Sequence, residues 1–500
     1  MSSLPAADDD DRSLLERLKP DDDADPAESS DAGGDSSRLT RFREGSLVEL
    51  LYVSLPLMIS TGSHSLMQAC DRLFLTAVGT DELGAAFSAG MLNWTLLSIP
   101  LATLGYAATF VSQYHGAGED EAARASVWQS FWLALVVSVP LLAVAPFAES
   151  IFRVIGHEPR LQELEATYFR IMIFALPLRL LIGSFFCHFS GRGENVVPMT
   201  AAIIGNGFNI ALTYALVFGT LGTQPLGLSG AAYGTVAATV LELVFYLAFI
   251  ALRRPHTLPS WWRSRRFDRG LSLRLLRFGL PNGVQMFSDA LAFTIALQVV
   301  GTIGPDELAA TTIALSTNGV VFVPLIGLGM ATGTIVGHRI GAKRPESAVR
   351  SVRLAAGFGL LMMGTFAAVC IFLPEAILWP YEQFGGAKFT PLRPLLLVLL
   401  RFLAAFALFD SLAVVMGFAI RGAGDTRFSL LVLTAAGWGL LTLPILAMAM
   451  FDQLTLFRCW TMLTLTVAAQ GVAFTLRFLG GKWKSMSVME PSVIREDDVE

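Results

Sequence analysis

Val78-Gly79-Thr80-Asp81-Glu82-Leu83 returns 225 positions later as Ile303-Gly304-Pro305-Asp306-Glu307-Leu308. The same offset carries Asn93 onto Asn318, Gly116-Ala117 onto Gly341-Ala342 and Ser126 onto Ser351. Agreement at four separate places under one shift argues against a chance loop motif and makes the chain a doubled unit. Each copy of the motif is embedded in apolar sequence. Residues 46–252 and 278–479 are two nearly continuous apolar blocks, broken by short polar punctuation.

The chain has 500 residues, of which 53% are hydrophobic and 15% charged. Soluble domains carry about 25% charged residues, and a soluble core has no need of so much apolar surface. The bilayer is therefore the expected solvent, and each block holds about six helices of roughly 20 residues. A closed barrel needs alternating segments of about 10 residues, whereas these runs are longer and apolar on both parities. The expected spans are 48–77, 85–112, 128–148, 168–190, 197–219 and 230–252, then 278–301, 309–337, 354–374, 394–419, 428–450 and 456–478.

Five regions follow. Residues 1–45 are an acidic tail with the composition of disordered chain. Residues 46–252 form an N-terminal six-helix lobe, 253–277 a basic linker, 278–479 a C-terminal six-helix lobe and 480–500 a second tail. Lys and Arg near span ends set orientation. The linker carries eight arginines from Arg253 to Arg277. Arg38, Arg41 and Arg43, Arg339 to Arg353, and Arg477 to Lys484 fall on the same side. Both termini are thus expected in the cytoplasm, with the chain a multi-pass protein of the cell (plasma) membrane. Six spans per half is an even number, so the halves are parallel repeats, and a substrate site is expected near the midplane between them.

Three carboxylates sit inside spans, where each costs roughly 2.5–3.5 kcal/mol on insertion scales. Asp71 lies late in the first span, Asp289 in the seventh and Asp410 in the tenth. None has a basic residue three or four positions away on its own helix, so each can exchange a proton or a metal cation. The plainer alternative is an interhelical hydrogen-bond anchor or a wet helix end. Asn206 and Asn209 are three apart on one face of the fifth span. Their carbonyls suit Na⁺ coordination or substrate hydrogen bonds, or ordinary interhelical bonding. Arg179 and Glu242 are further intramembrane charges. Arg179 falls where Asp410 maps in the first half, judged from Gly193 and Gly424, which makes the two lobes electrically unlike. Pro56 and Pro281, and Pro100 and Pro324, loosen equivalent helices of the two halves.

Other chemistries lack their residues. No G-x-x-x-x-G-K-[ST] loop is present, the six histidines form no metal pattern, and no Ser/His/Asp constellation stands out. Cys70, Cys187, Cys370 and Cys459 sit singly within apolar runs and read as small buried residues. The chain is expected not to be an enzyme and to need no cofactor.

In order and spacing, these pieces resemble the multidrug and toxic compound extrusion (MATE) family, in its NorM-like branch, over about residues 46–479. The matching residues are Glu49 with Pro56, Asp71 with Gly79 and Glu82-Leu83, and Gln113 to Gly118. Asn206 to Asn209, Gly219, and Gly230-Ala231-Ala232 with Thr235 continue the match. In the second half Gly279-Leu280-Pro281 leads to Asp289, and Asp410 leads to Arg421-Gly422-Ala423-Gly424-Asp425-Thr426. The resemblance implies an all-α polytopic membrane protein of twelve transmembrane helices, in two V-shaped lobes. It implies an antiporter that exports organic, cationic drugs or toxic metabolites in exchange for H⁺ or Na⁺. By the same resemblance, Asp289 and Asp410 match a second-lobe acidic pair and Asp71 the first-helix acid. Asn209 and Thr235 match polar positions near the first-lobe cation site, and Na⁺ has a possible place at Asp289, Asp410 or Asp71. This sequence departs from the family with Asp289 in place of Glu, Phe406 in place of Tyr, Thr213 in place of an aspartate of another branch, and Arg72 in place of Thr. The coupling ion therefore stays open. The implied partners are a small organic substrate, the coupling cation and the lipid bilayer, with no nucleic acid, for a chain that acts as a monomer. Two other readings stand beside this one: a flippase for lipid-linked saccharides, whose cavity would be basic, and a non-transporting membrane scaffold or receptor.

Overall fold

The computed structural model describes residues 43–489 except 157, 221, 223, 254–257 and 386–389. The acidic tail therefore lies outside the described residues up to residue 42, as does 490–500. The first half contains α1 (Leu47–Val78), α2 (Thr80–Gly105), α3 (Ala107–Gly116), α4 (Asp120–Leu142), α5 (Ala148–Ile155), α6 (Pro159–Met172), α7 (Ala175–Gly191), α8 (Val196–Phe218) and α9 (Gly227–Arg253). A short helix, α10 (Leu258–Arg263), lies in the linker. The second half contains α11 (Arg269–Gly301), α12 (Pro305–Gly341), α13 (Pro345–Phe372), α14 (Pro374–Gly385), α15 (Leu392–Ala423), α16 (Thr426–Ala436), α17 (Leu443–Met450) and α18 (Leu456–Leu479). No strand occurs among the described residues. That is the expected result in lipid, where a helix satisfies its own backbone.

Eleven stretches among the described residues are long and apolar enough to cross a bilayer. The twelfth traverse is α1. Its 32 residues extend about 48 Å at 1.5 Å per residue, well beyond a hydrocarbon core of about 30 Å. It is less apolar than the other traverses because His64, Gln68, Asp71 and Arg72 lie in its outer half. The fold is thus the all-α, twelve-traverse, doubled architecture expected from the sequence. The repeat is visible in the backbone as well. Gly79 and Gly304 cap α2 and α12 in the same extended conformation, φ 172°, ψ 161° and φ 173°, ψ 161°. In both, the carboxylate three residues on, Glu82 or Glu307, occupies the space a Cβ would take.

Local signals fix the helix starts. The Ser46 hydroxyl accepts the Glu49 N–H at 3.2 Å while the Glu49 carboxylate accepts the Gly45 N–H at 2.7 Å, a reciprocal cap. The Asp268 carboxylate accepts the Leu271 N–H at 3.0 Å and starts α11 inside the basic linker. Some traverses are broken where unbroken helices were expected. The second is split at Tyr106, the fourth at Ile173–Phe174, and the eleventh carries a π-helical turn, Gly437–Thr442, between α16 and α17.

The halves pack crosswise: α1 lies against α12, and α11 against α2. Leu50, Val53 and Leu57 of α1 share one core with Leu325, Leu328 and Ala331 of α12. Near the basic end the backbones nearly touch. A Cβ on Gly116 would strike the His338 carbonyl, and one on Gly341 the Gln113 carbonyl. Gln113 Nε2 donates to the Gly422 carbonyl at 2.9 Å, and His338 Nε2 bonds the Gly191 carbonyl at 2.6 Å. Each of these two side chains reaches out of its own half to the end of the fourth traverse of the other. Arg339 adds ion pairs to Glu49 and, at 2.8 Å, to Glu44.

Away from that end the contacts stop. The bond from the Thr61 hydroxyl to the Val323 carbonyl, 3.3 Å, and the contact of Gly283 with Ile99 are the outermost inter-half crossings among the described residues. Among the described residues, no hydrogen bond or close glycine crossing joins the halves beyond Thr61, before Ile99, beyond Gly283 or before Val323. The two lobes meet at the basic end and diverge toward the other, as a V.

Gly341→Leu should therefore drive a side chain into the Gln113 carbonyl. Overpacking of this kind costs about 1–3 kcal/mol, so the thermal unfolding midpoint in detergent should fall by several degrees. The same change at Gly357, which has open space around it, should have little effect. Equal midpoints for the two variants would refute the close crossing.

Candidate functional site

The unjoined halves of α1 and α11 carry Asp71 and Asp289. Asp71 is about 10 Å from the outer end of α1, and Asp289 about 18 Å from the outer end of α11. Asp410 lies about 20 Å in from the basic end of α15. All three aspartates thus sit at membrane depth and outside the inter-half seam.

Asp410 is buried at 9% exposure. Among the described residues it has no hydrogen bond, no ion pair and no charged group acting on it. Asp289 is half-buried, and its nearest partner is one turn back on the same helix, where Gln285 Nε2 donates to its carboxylate at 3.3 Å. The guanidinium of Arg421 acts on it through space, but Arg421 bonds elsewhere. It donates to the Gly417 carbonyl at 3.1 Å and lies over the Phe418 ring at 4.2 Å. Asp289 is therefore under the influence of a cation without being locked to one. No bond joins Asp289 to Asp410 among the described residues.

The π-helical turn packs against α11 beside Asp289. The Thr442 hydroxyl donates to the Ala292 carbonyl at 2.9 Å, and Trp438 Nε1 donates to the Ser288 hydroxyl at 2.9 Å. A Cβ on Gly437 would lie 4.0 Å from the Asp289 carboxylate. Such turns widen a helix and leave backbone groups to be satisfied by neighbours. Gly437-Trp438-Gly439 is the sequence trace of this feature, and Arg421 and Gln285 are the charge and the amide that a search of each aspartate for basic i±3 and i±4 neighbours passes over.

The first lobe is more crowded. Asn209 Nδ2 donates to the Thr235 hydroxyl at 3.2 Å, and Thr235 in turn donates to the Ala231 carbonyl at 3.1 Å. Asn209 Oδ1 and Thr213 Oγ1, one turn apart on α8, are buried without a partner, and so is Asp71 Oδ1. Asn206 donates to the Ser63 hydroxyl at 2.9 Å and hydrogen-bonds His64. Asn206 and Asn209 thus do different work, the first tying α8 to α1 and the second facing α9. Arg179 on α7 acts on Asp71, Glu242 and Tyr168, and Glu242 rests against Gly205 of α8, its Cβ 3.4 Å from the position a Cβ there would take. Asp71 therefore has a cationic neighbour supplied by another helix. No bond joins Asp71 to Asn209, although α1 and α8 pack together.

Free oxygens of a carboxylate, an amide and a hydroxyl are the donors a hard cation such as Na⁺ prefers. Among the described residues, no three His, Cys, Asp or Glu side chains converge to hold a metal ion.

Comparisons with known proteins place this geometry. A family model described as MatE matches residues 56–215 and 281–447. The chain is 25% identical over 413 residues to a probable multidrug resistance protein NorM of Brucella suis, covering 81% of this chain and 87% of that protein. It is 29% identical over 465 residues to a probable multidrug resistance protein NorM of Pseudomonas aeruginosa, covering 90% and 93%. It is also 28% identical over 412 residues to the multidrug resistance protein PmpM of Pseudomonas aeruginosa, covering 81% and 84%. Among solved structures, an outward-facing multidrug resistance MATE family transporter of the MOP superfamily superposes with TM-score 0.79 at 21% identity, over 90% of this chain and 97% of that one. A MOP superfamily transporter from Pyrococcus furiosus superposes with TM-score 0.80 at 20% identity, over 91% and 99%. The fold is shared with both.

A partnerless buried carboxylate is a cost retained for use. Asp410→Leu should raise the thermal midpoint of the purified protein, by up to about 2.5–3.5 kcal/mol in stability terms. Asn209→Leu, which breaks the bond to Thr235, should lower it. A drop in stability for Asp410→Leu would mean that Asp410 is a structural anchor.

Proposed function

This chain belongs to the MatE family, and on that premise we propose that it is a cation-coupled antiporter that exports organic, cationic drugs or toxic metabolites in exchange for H⁺ or Na⁺. The observation that carries the proposal is Asp410, buried at membrane depth with no counter-ion, together with Asp289, which has one only at a distance. The names of the relatives support drug export, and the converging lobes support alternating access. We read the joined, basic end as cytoplasmic, which the positive-inside bias supports, in a plasma-membrane protein with both termini on that side. The V is then open outward, and the described state is outward-facing.

In the working cycle, a positively charged substrate enters the lobes from the cytoplasmic side and is held by carboxylates in a low-dielectric setting. Rocking of the lobes brings it outward. Protons or Na⁺ ions, one for each carboxylate, then neutralise Asp289 and Asp410, the substrate loses its electrostatic hold, and the ions are carried inward. Coupling requires only that the two ligands compete for the same groups or the same conformations. Two such ions entering against one monovalent substrate cation leaving move one net elementary charge inward, which at 100 mV supplies about 2.3 kcal/mol, enough for roughly a 50-fold substrate gradient. The first-lobe oxygens of Asp71, Asn209 and Thr213 offer a second place for the ion. A flippase for lipid-linked saccharides is less well supported, because its basic candidate, Arg179, already faces Glu242 and Asp71. A scaffold leaves the unpartnered carboxylate without a use.

Ethidium efflux from an efflux-deficient host under imposed pH or Na⁺ gradients tests the reading. Asp289→Asn and Asp410→Asn should each abolish efflux while leaving protein in the membrane, and the gradient that drives the wild type names the ion. Unchanged efflux from both variants would overturn the assignment.

A further inference from the structure

Residues 261–268 of the linker are held largely through backbone groups. Trp128 Nε1 donates to the Trp261 carbonyl at 2.9 Å, and Trp132 Nε1 to the Arg265 carbonyl at 2.9 Å. Between them, Gln129 Nε2 donates to the Arg266 carbonyl at 3.0 Å, while its Oε1 accepts the Asp268 N–H and the Ser272 hydroxyl, each at 3.0 Å. Three residues within about one turn of α4 thus strap down residues 261–268. Trp261 turns inward and packs edge-on against His188, ring centroids 4.8 Å apart.

This strap turns four arginine side chains of the linker outward. Arg263, Arg265, Arg266 and Arg269 are all exposed. None of the four makes an ion pair among the described residues, and the nearby Asp268 carboxylate is engaged in capping α11. Between the arginines stand two large exposed apolar rings, Trp262 at 55% and Phe267 at 60%. The Arg265 guanidinium lies over the Trp262 ring at 5.5 Å. Trp128, Trp132, Trp261 and Trp262 are four of the nine tryptophans in the chain, gathered where α9 leaves and α11 enters the membrane. Tryptophan concentrates at the headgroup level, which sets the depth of the linker there.

We propose that residues 262–269 are a docking site for anionic phospholipid in the leaflet at the basic end of the molecule. The arginine forks meet headgroup phosphate, for which their planar donors are suited, while Trp262 and Phe267 enter the acyl boundary. An ion free in solution would use the arginines but has no place for the two rings, and so the occupant is a lipid. The linker joins the two lobes, so the lipid pins the hinge between them to the bilayer surface. The site is independent of what the central cleft carries, and it stands or falls separately from the transport reading.

The test uses the purified full-length protein in neutral detergent, with phosphatidylglycerol competing against phosphatidylcholine and bound lipid read by native mass spectrometry. The wild type should retain phosphatidylglycerol preferentially. The triple variant Arg263→Gln, Arg265→Gln, Arg266→Gln should lose that preference by on the order of a hundredfold, since each basic residue near an anionic surface contributes about fivefold. A control triple at the opposite end, Arg153→Gln, Arg160→Gln, Arg458→Gln, should behave as wild type. Should the linker triple not fold, the wild type alone decides, because raising salt must weaken its preference. No preference in the wild type, an undiminished preference in the linker triple, an equal loss in the control triple, or indifference to salt would each overturn the proposal.

Discussion

Two membrane-embedded half-proteins with no water between them have little hydrophobic reason to associate, since lipid tails are as apolar as leucine. What holds these halves together is close backbone approach at one end. Gly116 and Gly341 are equivalent in the repeat, and each lies where the opposing chain's carbonyl leaves no room for a side chain. That proximity brings Gln113 within reach of the Gly422 carbonyl and His338 within reach of the Gly191 carbonyl. Everything else in the architecture follows from joining at one end only. The crosswise pairs α1–α12 and α11–α2 must diverge, and the space between their outer halves is where Asp71 and Asp289 lie.

Much of this was legible in the chain before its structure. The offset that matches Val78–Leu83 to Ile303–Leu308 reappears as two superimposable caps at Gly79 and Gly304. The apolar blocks became traverses, α1 among them even though His64, Asp71 and Arg72 dilute its hydropathy. The breaks were not legible. Where the helix splits at Tyr106, the Tyr106 hydroxyl donates at 2.6 Å to the Arg421 carbonyl, which comes from the other half. The π-helical turn is likewise a tertiary event: the Thr442 hydroxyl that stabilises it bonds Ala292 on α11. Local sequence carries no record of such long-range satisfaction. The same limit explains why Arg179 beside Asp71, and Arg421 near Asp289, were invisible to a search along single helices.

The repeat is therefore geometric but not electrical. Equivalent positions on the fourth traverse of each half hold Arg179 and Asp410. In the first lobe the arginine is set among Asp71, Glu242 and Tyr168, so its charges largely answer one another. In the second lobe Asp410 has no charged partner among the described residues. On the antiporter reading proposed above, a ligand cation gains most where the protein has left a charge uncompensated, which favours the second lobe. The first lobe offers neutral oxygens instead, Asn209 Oδ1 and Thr213 Oγ1, and separately Asp71, which lies in the field of a guanidinium.

The seam also limits how the molecule can change state. Opening the basic end must separate backbones that now touch, and it must uncover the carbonyls of Gly191 and Gly422. Those carbonyls lie at helix ends and cannot stay bare in a dry interior. Water reaches them if the opening is at the membrane surface, which is where the seam lies. Water would not reach equivalent groups buried at the midplane. Packed interfaces of this kind switch between discrete arrangements rather than stretching. The close glycine contacts at the surface end therefore let the seam part completely, while the outer halves of α1 and α11, joined by no such contacts, remain free to approach each other and close the cleft from the opposite side.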